Sequence, residues 1–100
     1  MDDAIVKMLF RVVDEINEML PPEAHLEKDL DAALAGERGK LDSAGLINLI
    51  VATEERAAAE LNLSIILTDD KTLSQIDRVF GTLGTLADHI GALSNETNQR

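Results

Sequence analysis

Apolar residues recur every three or four positions near the start of the chain: Ile5, Leu9, Val12, Val13, Ile16 and Leu20. This spacing is one face of an α-helix. Lys7, Arg11, Asp14 and Glu18 fall between them as a solvent stripe. The pattern predicts a helix over 2–20, with Asp2 or Asp3 at its positive end and Pro21-Pro22 stopping it. A second helix is predicted over 43–61. Its buried stripe is Leu46, Leu49, Ile50, Thr53 and Ala57. A neighbouring stripe holds Ala44, Ile47, Asn48, Val51 and Glu55, so Ile47 and Val51 are surplus to one core face. They are either extra core or a small exposed patch for a partner.

The connection over 21–41 is about 20 residues long, beyond ordinary loop lengths, which points to a functional loop. Leu26, Leu30 and Leu41 are expected to pin it to the core, with a short helical turn over 28–34. Gly36-Glu37-Arg38-Gly39-Lys40 reads as open loop. Farther on, 63–68 is expected to be an extended, buried connection. Asp69 or Asp70 then caps a short third helix through about Asp77. Gly81 interrupts the chain, and Thr82 caps a last helix over about 83–92 with Leu83, Leu86, Ala87 and Ile90 inward. The expected architecture is an all-α bundle of four helices, with a long loop after the first helix and a short third helix. Residues 1–93 form the helical domain, and 94–100 (SNETNQR) form a polar, disordered tail.

Charge narrows the partners. Nineteen acids against nine bases give a formal net charge of −10. The bases do not cluster, so nucleic acid and anionic membrane surfaces are poor partners, and proteins with basic patches are better ones. At 45% hydrophobic residues the chain is too apolar for a disordered acidic tail. It has no cysteine, which removes disulfides, cysteine–zinc sites and thiol catalysis and suits a reducing compartment. No apolar run nears the roughly 18 residues of a membrane span, and the acidic start is unlike a signal peptide. The expectation is a cytoplasmic monomer without an integral membrane segment. An initial Met and a polar end suit a discrete protein.

Enzymatic constellations are sparse. His25 and His89 lie in no ligand motif such as HExxH and read as ordinary loop and helix-edge residues; no metal site is expected. The glycines form neither GxGxxG nor a P-loop. One stretch is distinctive: a Gly-rich loop delivers Asp42-Ser43 to the first turn of the amphipathic second helix. An anion attached to the serine there would be favoured by the helix dipole. Either residue can equally be the helix N-cap. A serine with no base beside it is a poor nucleophile, so no autonomous hydrolase is expected.

Leu41-Asp42-Ser43-Ala44, followed by Leu49-Ile50-Val51-Ala52 and Glu54-Glu55, resembles the signature of the acyl carrier proteins. Phe80-Gly81-Thr82-Leu83-Gly84-Thr85-Leu86-Ala87-Asp88-His89-Ile90 is similar to that family's closing Thr-Val-Gly-x-Leu-x-x-Tyr-Ile. The resemblance spans about residues 3–92. It implies a non-catalytic carrier on which Ser43 holds a covalent 4′-phosphopantetheine arm, transferred from coenzyme A by a separate transferase. The arm's thiol would carry acyl groups as thioesters for a fatty-acid, lipid or secondary-metabolite pathway. Asp42 would help dock the transferase and its metal ion. Ala44, Ile47 and Val51 would face partners, with Glu54 and Glu55 meeting basic patches on acyl-loading and acyl-using enzymes.

Three features depart from the family pattern. Ala44 replaces the usual Leu, Gly45 and Asn48 stand where acids are common, and the loop over 31–40 is longer. They suggest a specialised carrier with dedicated partners. A peptidyl or aminoacyl carrier uses the same chemistry. The alternative from another class is an unmodified helical interaction module that keeps the carrier fold.

Overall fold

A computed structural model describes residues 3–35, 39 and 41–98. The chain is all-α. Three long helices, α1 (Asp3–Asn17), α2 (Ser43–Leu61) and α5 (Leu83–Asn98), are joined by segments that include two single-turn helices, α3 (Asp70–Leu73) and α4 (Ile76–Val79). A 3₁₀ turn covers Pro22–Ala24. Among the described residues no strand forms, only one isolated antiparallel bridge between Ala33 and Thr82.

The apolar stripe of α1 is buried as its spacing predicts, with Met8 added to Ile5, Leu9, Val12, Val13 and Ile16. The helix packs along α2 and α5. Its end corrects the expected boundary: α1 stops at Asn17, before the prolines. The Asn17 side chain takes both backbone groups of Leu26, accepting from its N–H at 2.7 Å and donating to its carbonyl at 3.0 Å. Met19 N–H and Leu20 N–H then donate three residues back, tightening the last turn. Asp2, the other expected cap, lies outside the described residues.

The long connection is not helical over 28–34; Asp29 instead turns the chain by accepting from Asp31 N–H. The segment is sewn to the start of α5. Leu34 N–H donates to Gly81 O and Ala35 N–H to Phe80 O, while Leu83 N–H donates to Ala32 O and Gly84 N–H to Leu30 O. Two N-terminal amides of α5 thus find acceptors outside their own helix. Gly84 permits the approach, because a Cβ there would stand 3.0 Å from Leu30 O. Thr82 caps α5 as expected. Its hydroxyl accepts from Thr85 N–H at 3.1 Å, and the Thr85 hydroxyl accepts from Thr82 N–H at 3.0 Å. This is a capping box with Thr in place of the usual Glu or Gln. Leu26 and Leu34 are buried and Leu30 and Leu41 partly so, so leucines do pin the loop, with Leu34 the deepest.

Three more boundaries move. Ser74-Gln75 form a turn that divides the expected third helix into α3 and α4, and Asp69 caps α3 by accepting from Thr72 N–H. The last helix continues past Ala92 to Asn98, into the segment expected to fray. The connection over 63–68 is extended but alternates, with Ile65 and Leu67 inward and Ile66 outward. The core is aliphatic apart from buried Phe80.

Arg56 of α2 bridges Glu15 of α1 and Glu60 of its own helix, at 2.9 and 2.7 Å, and Arg11 of α1 also pairs with Glu60. Hydrogen bonds from Arg11 and then Arg56 hold the Glu60 carboxyl below its ordinary value. A carboxyl depressed in the folded state stabilises that state above the ordinary carboxylate range, and the contribution disappears as pH falls through its folded value. Glu60→Gln should therefore lower the melting temperature slightly at neutral pH. The difference from wild type should shrink in melts taken into the acid range. A constant difference would mean the seam contributes no proton-linked stability.

Candidate functional site

The first turn of α2 is organised by Asp42. Its backbone is extended, and its carboxylate accepts from Gly45 N–H at 2.8 Å. Of the two candidate caps, Asp42 is thus the N-cap and Ser43 is the first helical residue. Gly45 is buried, and a Cβ there would lie 3.1 Å from Leu41 Cδ2 and 3.3 Å from the Asp42 carboxylate. The glycine lets Leu41 fold over the helix start. Ser43 and Ala44 are exposed beside it. The serine is presented at the positive end of a 19-residue helix whose cap is supplied by another residue.

The two faces of α2 separate cleanly. Leu49, Ile50, Ala52, Thr53 and Ala57 are buried, Leu46 is partly buried, and the Thr53 hydroxyl donates to Leu49 O at 2.7 Å. On the neighbouring stripe Ala44, Ile47, Asn48, Val51 and Glu55 are all exposed. Ile47 is 59% and Val51 46% exposed, which makes the surplus apolar pair surface and not core.

The two acids differ. Glu55 is exposed, whereas Glu54 is half-buried and accepts from Leu67 N–H at 2.7 Å. The structure therefore brings Ser43, Ala44, Ile47, Val51 and Glu55 onto one solvent-facing strip and turns Glu54 toward the 62–69 segment. Sequence reasoning missed this tie, since the bond joins residues 13 apart through a backbone group that no side-chain pattern marks. It also passed over exposed Ile66 and Leu73. No signal marked Ile66, since Ile65-Ile66-Leu67 is apolar throughout and its in-out alternation is a property of the fold alone.

Neither histidine joins the strip. His25 Nε2 lies 3.0 Å from Leu20 O, and His89 Nε2 lies 3.4 Å from the buried Thr72 hydroxyl. Among the described residues no group of three or more His, Asp or Glu is placed to hold a metal ion. No helix there is long and apolar enough to cross a membrane. Comparison of the chain with protein-family models, with curated proteins and with solved structures finds no match.

Proposed function

We propose that the protein is a non-catalytic carrier, with Ser43 as the attachment point of a phosphopantetheine arm and the exposed strip of α2 as the surface its partner enzymes read. The observation that carries this reading is the exposed Ser43 at the first turn of α2, with Asp42 and not the serine acting as the cap. A phosphodiester on that oxygen fits the site, because the unpaired amides and dipole of a helix start favour negative charge. Bound there, the arm would supply a thiol for thioester chemistry, which a chain without cysteine otherwise lacks. The cargo is an acyl, aminoacyl or peptidyl group, and the partners are a transferase and the enzymes that load and unload the arm.

Intact mass after incubation with coenzyme A and a broad-specificity transferase tests the proposal. A gain of one arm supports a carrier. An unchanged mass under conditions that fully convert a control carrier overturns it and leaves an interaction module.

Docking should divide between apolar contact and charge. Val51→Ala should mainly speed dissociation from the transferase, since loss of apolar contact at an interface is read in the off-rate. Glu55→Lys should mainly slow association and flatten its salt dependence. Because Val51 is exposed, its truncation should change stability by no more than about 0.5 kcal/mol. Unchanged kinetics in both variants would remove α2 as the docking surface.

A further inference from the structure

We infer that Glu54 is a positioning residue, not a docking charge: it fixes the 62–69 segment against α2 so that Ile66 extends the apolar strip of Ile47 and Val51 into a ridge two elements wide. This rests on the carrier reading for the partner's identity but not for the geometry. Glu54 follows Val51 by three residues, about 4.5 Å along the helix at 1.5 Å per residue. Its carboxylate reaches sideways to Leu67 N–H at 2.7 Å. In the extended segment Ile65 and Leu67 point inward at 9% and 0% exposure, which turns Ile66 outward at 64%. The outward isoleucine is therefore one residue from the amide that Glu54 holds, three residues beyond Val51 on α2, and the bond that holds it is charge-assisted.

A single exposed isoleucine is ordinary, but Ile66 added to exposed Ile47 and Val51 makes an apolar patch, and partner contact is the usual reason for one. The elements that carry these residues also bear exposed acids: Asp42 at the N-cap of α2, Glu55 on α2 and Asp70 at the start of α3. The occupant that fits is a protein surface with an apolar groove rimmed by Lys or Arg, here the transferase that modifies Ser43. Its charge would complement the −10 of this chain.

Charge and positioning predict opposite results for one conservative change. Glu54→Gln removes the charge but keeps an oxygen able to accept from Leu67 N–H, whereas Glu54→Ala removes both. The first readout is the rate of arm transfer from coenzyme A at limiting carrier concentration, using a broad-specificity transferase. The second is hydrogen exchange at the Leu67 amide, which does not depend on the carrier reading.

Glu54→Gln should stay within about twofold of wild type in both readouts, since a neutral acceptor retains much of the bond. Glu54→Ala should speed Leu67 exchange on the order of tenfold, as expected when a local hydrogen bond is lost. It should slow arm transfer together with Ile66→Ser, each by about tenfold, the scale of losing one apolar anchor. The double variant should be no slower than either alone, because both changes remove the same contact. If Glu54→Gln slows transfer as much as Glu54→Ala, Glu54 is a docking charge and the inference is wrong. It is also wrong if Ile66→Ser transfers at the wild-type rate, or if Leu67 exchange ignores Glu54→Ala. A wild-type chain that gains no arm overturns the carrier reading and, with it, the transferase as occupant; unchanged Leu67 exchange overturns the latch alone.

Discussion

Ser43→Ala is expected to abolish the gain of a phosphopantetheine arm completely while leaving the fold intact. The serine oxygen is the proposed attachment atom, so no residual modification should survive its removal. The fold should be indifferent, because Asp42 caps α2 through Gly45 N–H and Ser43 is an exposed first-turn residue. Its truncation should cost no more than about 0.5 kcal/mol in denaturant unfolding, as for other surface positions. Asp42→Ala provides the contrast: it should cost about 0.5–2 kcal/mol, the usual loss for an N-cap. Intact mass and an unfolding curve on both variants check the assignment. An arm still gained by Ser43→Ala would move the site elsewhere. A cost above that of Asp42→Ala would make the serine a structural residue.

Leu49→Ala should be the most damaging of these substitutions to the fold. Leu49 is wholly buried on the core face of α2. Truncating a buried leucine typically costs about 2–5 kcal/mol, part transfer free energy and part the cavity left behind. Small domains have about 5–15 kcal/mol in total, so a large share of stability would go. Denaturant unfolding measures it. A change below about 0.5 kcal/mol would place Leu49 outside the core and put the phase of α2 in error.

The parts of the molecule legible in the sequence were those governed by local periodicity. The apolar stripe of α1, the start and end of α2, and the caps Asp69 and Thr82 depend on residues within a few positions of each other. The surplus stripe of α2 could be seen but not assigned, since periodicity identifies a second apolar face without saying whether anything covers it. What escaped was set by distant backbone groups. Asn17 ends α1 by bonding Leu26, Glu54 turns inward for Leu67 N–H, and the 30–35 segment bonds the start of α5. None of these partners carries a side-chain signature. The extension of α5 to Asn98 went unread because SNETN has no apolar residue to continue the stripe.

The stitches between 30–35 and 80–84 make this end of the molecule depend on non-local closure. They join residues about fifty positions apart, so closing that loop costs chain entropy before the bonds return anything. The α1–α2 seam is no more local, since Arg11 meets Glu60 across 49 positions and Arg56 meets Glu15 across 41. Until the Leu30–Ala35 segment docks, water is the acceptor for the Leu83 and Gly84 amides, and docking exchanges it for Ala32 O and Leu30 O. The start of α5 is thus fixed by a strap, residues 30–35, that precedes Ser43 by only eight positions in the sequence. Opening that strap would return both α5 amides to water in a single event.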